Sequence, residues 1–450
     1  MDVPDIEKKL GITVYGTRTI GIGGVIRKEP EDFVVEEILV DGVKASVVPS
    51  GCPACLGRYL VCILVKRNWD TLLAVKTVAR RLRIKPEQIG FAGIKDANAL
   101  TAQHISLYGV RPEKISRVKI KDLRIYPVRY VEERISAKLL FGNQFTILVR
   151  LISPESSEVE KLVNATMEKL SVLGGVPNFF GHQRFGTVRP ITHLVGKAIV
   201  KGNVEEAAFT FLAFLGKYEN PEIRLAREKL GETRDLKEAL RSFPTVLSYE
   251  RLMLRHLLSY PNDFLGAFRR LPMKLRELFV QAYESFLFNQ FLSERMRRGI
   301  GLNEVHVGDY VVALNEHGLS AENGEVATSQ SLSRLNRAVK RGKACVAIPL
   351  IGFKQSLSNG AQGEIEQSVL EKEEVKPEDF KLSSMSEISM RGGLRTVLTP
   401  LTDFVAKPTE DHENSSKCKL RLRFTLRKGS YATIPLREFM KPQNPVEAGF

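Results

Sequence analysis

A lysine and an aspartate, Lys95 and Asp96, follow two glycines in the stretch from Gly90 to Ser106. Phe91, Ala92, Gly93 and Ile94 lead into the pair. Thr101, Gln103 and His104 stand behind it, in what reads as a loop running into a strand. A carboxylate on such a loop can attack an electrophilic carbon, take up a proton or cap a turn. Capping is the commonest of these, and the pair alone does not choose between them.

Other patterns with chemical potential lead nowhere. Cys52 and Cys55 form a lone CxxC. A structural zinc site takes four ligands, and no second CxxC or close Cys/His pair accompanies it. The two thiols therefore read as part of a turn, and no metal site is expected. Five cysteines, an odd number, do not resemble a disulfide framework. Gly21, Gly23 and Gly24 lack both the Lys-Ser/Thr of a phosphate loop and the spacing of a dinucleotide fingerprint. No Ser-His-Asp or HExxH arrangement is present.

The elements that would position Asp96 can be read from periodicity. A turn at Pro30 leads into a strand within residues 25–40, and Tyr59 to Val65 reads as a second strand. Leu72, Val75, Val78, Ala79 and Leu82 recur at helical spacing over 71–83, with Asp70 as N-cap. Lys76, Arg80, Arg81 and Arg83 fall largely off that stripe, as a solvated face or an RNA-facing one. Phe145, Ile147, Val149 and Leu151 alternate as one face of a half-buried strand over 143–151. A helix follows, opened by Ser153 and Pro154, carrying Val159, Leu162, Val163, Thr166 and Leu170 inward and closed by Gly174 and Gly175.

From about residue 190 the pattern turns helical. Its clearest helix runs over about 274–298, with Leu275, Leu278, Phe279, Ala282 and Phe286 as core. Residues 360–385 are polar and read as a surface excursion. Over 417–427, Cys418, Leu420, Leu422, Phe424 and Leu426 alternate with Lys417, Lys419, Arg421, Arg423 and Arg427. Such a cationic strand face suits a polyphosphate partner or guards an edge.

Length and charge bound the answer. The chain has 450 residues, enough for two or three units. Lys plus Arg exceed Asp plus Glu by 67 to 52, a net charge of +15 that attracts polyanions. No run reaches the roughly 18 apolar residues of a membrane span. The N-terminal segment is charged and lacks a signal-peptide core, so a cytoplasmic protein is expected.

The segment Phe91 to Asp96, with Thr101 and Gln103 behind it, resembles the nucleophile motif of the TruD pseudouridine synthase family. Three further segments resemble that family in the same order: Pro30 to Glu36, Gly142 to Phe145, and Val176 to Gly186. Weaker likenesses follow at Leu287 to Gln290, at Lys428 to Thr433, and at Arg437 with Glu438. The resemblance implies an α+β protein. Its pseudouridine-synthase catalytic domain, residues 1–177 and 390–450, is built on a mixed, mainly antiparallel sheet with flanking helices. A TruD-specific α/β insertion, residues 178–389, interrupts it and closes over the substrate.

The implied reaction isomerises uridine to pseudouridine in tRNA, at position 13, after the base is flipped out. The C1′–N1 bond breaks, the base turns, and C5 bonds to C1′. Nothing is oxidised and no group is imported, so no cofactor is expected. Asp96 is the implied catalytic carboxylate and Arg27 its basic partner, since a nearby cation favours an ionised carboxylate. Lys95 and Arg184 add positive potential. Phe145 is the implied stacking platform, with Asn143 bonding the base edge or orienting Asp96. Asn178, Phe179, Phe180 and Arg184 carry the most distinctive signature, with the aromatic pair and the arginine as a stacking and phosphate-gripping group or as a hinge into the insertion.

The implied partner is tRNA, with no membrane and no obligate protein partner; oligomeric state stays open. One departure stands out. Family members carry basic residues after the Lys-Asp pair, and this chain has Ala97 and Asn98. Two rivals remain: an RNA-binding protein without catalysis, and a glycosidase that frees the base. Product mass separates the second, because isomerisation changes no mass.

Overall fold

The computed structural model describes residues 2–48, 57–411 and 418–450. Cys52, Cys55 and Lys417 lie outside the described residues. Fourteen strands are described: β1 Phe33–Leu39, β2 Tyr59–Arg67, β3 Ile89–Phe91, β4 Leu100–Tyr108, β5 Leu123–Val131, β6 Leu140–Ile152, β7 Val176–Pro177, β8 Tyr310–Leu314, β9 Ser320–Val326, β10 Ala344–Leu350, β11 Gly393–Thr396, β12 Leu398–Thr399, β13 Thr402–Glu410 and β14 Cys418–Arg427.

Eight of them form one sheet in the order β13-β14-β6-β1-β4-β2-β5, with β3 attached to β4. Only β1 and β4 run parallel; every other pairing in it is antiparallel. The protein is thus α+β with a mixed, mainly antiparallel sheet. A parallel pair needs a crossover, and here it includes β2 and the helix Thr71–Leu82. Asp70 caps that helix by accepting from the Leu73 N–H at 2.9 Å, and Arg83, left-handed at φ 57°, ends it. Lys76, Arg80, Arg81 and Arg83 are exposed. The buried stripe starts at Thr71 rather than Leu72, which faces solvent. The Thr71 hydroxyl is drawn inward by hydrogen bonds described below, and it takes the inward slot of the first turn.

In β6 the expected alternation buries Phe145, Ile147 and Val149, then breaks. Leu151 is left-handed at φ 57° and exposed, and Ile152 turns inward instead. The register with β14 slips between Val149↔Leu420 and Ile152↔Cys418, which is a β-bulge. The next helix starts at Ser156, later than Ser153 and Pro154 suggest, and ends at the left-handed Gly174. On β14 the five apolar residues are buried, while Arg421 and Arg423 are exposed. Strand β14 lies between β13 and β6, so its cations do not guard an edge.

The chain leaves this sheet through β7 and returns through β12, and the two pair antiparallel as a stem. Between them lie helices and a second sheet, ordered β11-β10-β8-β9. The long helix is Met273–Arg297; Phe279 and Ala282 are buried in it, and Leu275, Leu278 and Phe286 are half-buried.

Residues 360–385 are not a surface excursion. They contain the helix Gly360–Glu373, which packs on the long helix through buried Ile365 and Leu370, and Phe380 stacks on Tyr283 with ring centroids 6.0 Å apart. Most of their charged residues face solvent, but Glu373 turns inward: its carboxylate meets Lys197 at 2.7 Å and accepts from the Tyr283 hydroxyl at 3.4 Å. Polarity marked this segment as surface because one side of it is; Glu373, on the buried side, finds its partners far away in sequence. Among the described residues, no helix is long and apolar enough to cross a membrane.

Candidate active site

Residues 92–99 connect β3 to β4, and the buried part of this loop, around Lys95, must find partners for its backbone polar groups. Three side chains supply them. Thr71, at the start of its helix, accepts from the Lys95 N–H at 3.1 Å and lies 3.2 Å from Gln103 Oε1. Gln103 of β4 donates through Nε2 to the Gly93 carbonyl at 3.1 Å. Lys66 of β2 donates through Nζ to the carbonyls of Trp69 and Asp96, both at 2.7 Å, and lies 3.4 Å from that of Lys95.

The adjacent Lys95 and Asp96 side chains then part. Lys95 is buried, with its ammonium 2.7 Å from Glu37 Oε2. Glu37 also accepts from the His104 backbone N–H at 2.9 Å and lies 3.2 Å from His104 Nδ1. Burial alone would raise the Glu37 pKa, but the His104 hydrogen bonds and the Lys95 charge outweigh it and hold the carboxylate below its usual range. The Lys95 cation is therefore committed beneath the loop. The Asp96 carboxylate keeps 31% of its surface open.

Arg27 approaches from the other side, with its Nη2 3.3 Å from Asp96 Oδ1. Its guanidinium lies 3.9 Å over the Phe33 ring, and burial pulls its pKa down against the pull of Asp96. Its backbone is left-handed at φ 58°, an uncommon state for a non-glycine residue. The segment at 448–450 holds it there: Ile26 N–H donates to the Ala448 carbonyl at 2.9 Å, and Arg27 Nη1 to the Gly449 carbonyl at 3.0 Å. A Cβ on Gly449 would lie 2.2 Å from the Ile26 carbonyl oxygen, so only glycine fits this clasp.

Phe145 lies under Phe33, ring centroids 6.1 Å apart and edge to face, and 5.6 Å from Phe424. It is 4% exposed, the floor of the site rather than an open platform. Asn143, two residues earlier on β6, pairs in register with Glu37 and Leu426. Its Oδ1 and Arg27 Nε are buried without a hydrogen-bond partner. Unpaired buried polar atoms are costly, so each of these would gain from a further polar partner.

The remaining candidates gather at the stem. Asn178 donates through Nδ2 to the Thr396 carbonyl at 3.0 Å and accepts from Arg395 Nη2 at 2.8 Å, which ties β7 to β11. Phe179 is wholly buried in the core and cannot stack on a ligand. Phe179 meets the Arg437 guanidinium at 6.0 Å, and its neighbour Phe180 meets Arg395 at 3.9 Å, Arg184 at 5.4 Å and the Tyr431 ring at 6.0 Å. Arg184 is half-buried and donates through Nε to Ser285 Oγ at 3.0 Å. Burial brings the Arg395 pKa down to about 10, with Arg184 adding repulsion.

Periodicity missed Lys66, Thr71, Arg395 and the 448–450 clasp. A lysine within the apolar run Tyr59 to Arg67 was the one available signal for Lys66; nothing local marks the others.

Three comparisons with known proteins point to one family. The family model described as tRNA pseudouridine synthase D (TruD) matches residues 9–439. The probable tRNA pseudouridine synthase D of Methanosarcina acetivorans is 41% identical over 442 residues, 98% of each chain. That of Pyrococcus furiosus is 36% identical over 428 residues, 95% of this chain and 98% of the relative. The crystal structure of the putative tRNA pseudouridine synthase D from Methanosarcina mazei superposes with a TM-score of 0.84 at 40% identity, covering 99% of this chain and all of the other. Matched over nearly its whole length by the family model, by relatives at 36–41% identity and by a solved structure, the chain belongs to the TruD family of tRNA pseudouridine synthases.

Proposed function

We propose that this protein isomerises uridine to pseudouridine in tRNA, at position 13, without a cofactor and without an obligate protein partner. Its place of action is then the cytoplasm, with its substrate. The observation that carries the reading is a partly open carboxylate, Asp96, paired with a buried guanidinium above an aromatic floor. Residues 1–177 and 390–450 serve as the catalytic domain. Residues 178–389 serve as the insertion that closes over RNA, and the second sheet carries on past its end through β11.

In this reading the C1′–N1 bond breaks with its electron pair on the base. The base turns, C5 forms the new bond to C1′, the C5 proton leaves, and N1 gains one. The atoms of the nucleoside are conserved. Asp96 supplies the negative charge that engages the nucleoside, and Arg27 holds it in an orientation fixed by Gly449. Phe145, with Phe33 and Phe424, supports the flipped base from below. Asn143 Oδ1 and Arg27 Nε offer unpaired polar atoms toward its edge. Lys95 acts from beneath, by fixing Glu37 and the loop. At the stem, Asn178 and Phe179 serve as the hinge, and Arg184 grips phosphate beside Phe180.

Incubation of unmodified tRNA with the protein, followed by pseudouridine mapping and mass analysis, tests this. One uridine should convert with no change of mass. Loss of uracil would instead mean a glycosidase, and tRNA binding with no conversion an RNA-binding protein.

Arg27 carries its own prediction. Arg27→Ala should slow the single-turnover rate by about 100-fold, the usual cost of one preorganised electrostatic partner, and leave tRNA affinity within a few-fold. Arg27→Lys should recover part of the rate, because one ammonium can reach Asp96 or the Gly449 carbonyl but lacks the fork. Weakened binding at unchanged turnover would make Arg27 a phosphate contact.

A further inference from the structure

Lys66 is a wholly buried cation to which the chemistry above assigns no task. It follows Cys62 and Leu64 on the face of β2 that packs into the apolar cluster under the helix Thr71–Leu82. No carboxylate of the described residues lies within ion-pair distance of its ammonium. Three carbonyls surround it instead: Trp69 at 2.7 Å, Asp96 at 2.7 Å and Lys95 at 3.4 Å. An ammonium has three N–H donors, so these acceptors can use all of them. Hydrogen bonds from a charged donor are roughly twice as strong as neutral ones. Two of the three acceptors are the peptide carbonyls of the motif pair itself.

We propose that Lys66 is a positioning residue for the reaction: its ammonium fixes the main chain at Lys95 and Asp96, aims the Asp96 carboxylate at the nucleoside, and loosens that aim when it loses its proton. The proposal rests on the reading of Asp96 as the catalytic carboxylate.

The charged groups around Lys66 come from two elements. Asp96 and Lys95 face it from the loop, and Asp70 from the N-cap of the helix. Burial is the largest influence and lowers its pKa from 10.5 to about 8; Asp96 and Asp70 resist that change and Lys95 adds to it. The reaction should therefore slow as pH rises through about 8. Stability runs the other way. Because the folded pKa lies below the unfolded one, the Lys66 contribution to stability rises between about 8 and 10.5. A fall in rate over that window is then not unfolding caused by this group.

The test is the single-turnover rate of pseudouridine formation on tRNA from pH 6.5 to 9.5, for wild type, Lys66→Met and Lys66→Arg, with melting temperature and tRNA affinity measured beside it. Wild type should lose rate above about pH 8. Lys66→Met should be slower by about 100-fold at pH 7, the usual cost of misplacing a reacting group by an ångström, with affinity within about threefold and no alkaline fall. Lys66→Arg, which cannot lose its proton in this range, should recover part of the rate and stay level to pH 9.5.

A wild-type rate that stays level through pH 9.5 overturns the proposal, and needs no variant to fold. So does a folded Lys66→Met within threefold of wild type, or one that keeps the alkaline fall. A role confined to folding would lower the melting temperature and leave the pH profile alone. Failure of wild type to convert any uridine would instead remove the reading of Asp96 on which the proposal rests.

Discussion

Asp96→Asn should abolish pseudouridine formation, with a single-turnover rate down by about 10⁴-fold or more, as expected when the reacting group itself is removed. Affinity for tRNA should stay within a few-fold of wild type. Asparagine keeps the size of the side chain and an oxygen that can accept from Arg27, now 3.3 Å from Asp96 Oδ1, but it brings no negative charge. The loop should survive, because its backbone is held by Lys66, Thr71 and Gln103 and not by the Asp96 side chain. The substitution therefore isolates charge from geometry. Residual turnover above a few per cent would mean that another group performs the chemistry. Loss of binding alongside loss of rate would mean that Asp96 holds up the RNA site. The comparison to make is single-turnover kinetics beside a binding isotherm on the same tRNA.

Burial side was mostly legible where a strand or helix kept its period, with Leu72 an exception at its helix start. Cys418 to Leu426 and Phe145 to Val149 alternate as written, because a two-residue repeat fixes which side each residue takes. Legibility failed where the period breaks. Leu151 belongs to the pattern by sequence and leaves it by a bulge whose partner strand lies some 270 residues downstream. In the connection between β3 and β4 no period applies. There the sequence names Lys95 and Asp96 as neighbours but not which of them turns inward; Glu37 and His104 decide that from β1 and β4.

The same holds for Phe179 and Phe180, where both rings are buried but the first faces Arg437 and the second Arg395 and Arg184. Motif resemblance reached Asp96, Arg27 and Phe145. It did not reach what holds them, because Thr71 and the Gly449 carbonyl act through contacts that leave no local pattern, and Lys66 shows only as a lysine in an apolar run. The polar stretch at 360–385 misled for the opposite reason: Glu366 and Glu373 are hydrophilic by type, and both are satisfied inside the fold.

Arg437→Met should destabilise the fold by about 3–5 kcal/mol, the usual cost of stripping one partner from a buried ion network. Arg437 is wholly buried in the helix Thr433–Met440. Its guanidinium lies 2.8 Å from Glu7 Oε2 and 2.8 Å from Glu438 Oε1, and over the Tyr15 ring at 4.1 Å. Glu438 in turn accepts from the Gly16 N–H at 2.9 Å and from Lys441 Nζ at 3.2 Å. The network thus ties residues 7–17 to a helix more than 400 positions away in sequence. Burial works against the Arg437 charge, but Glu7 and Glu438 outweigh it and raise its pKa.

Methionine fills similar volume, yet it leaves two carboxylates buried opposite one remaining lysine. Adding Glu7→Gln should therefore return part of the loss, a coupling that two independent sites would not show. Urea denaturation of the single and double variants measures both quantities. A cost below about 1 kcal/mol, the range of an exposed pair, would show that the network is solvated and contributes little. If the cost is as large as argued, pseudouridine formation by the folded fraction of Arg437→Met should stay near wild type. That would set Arg437 and Glu438 apart from Asp96 and Arg27: they hold the scaffold, and the other pair does the chemistry.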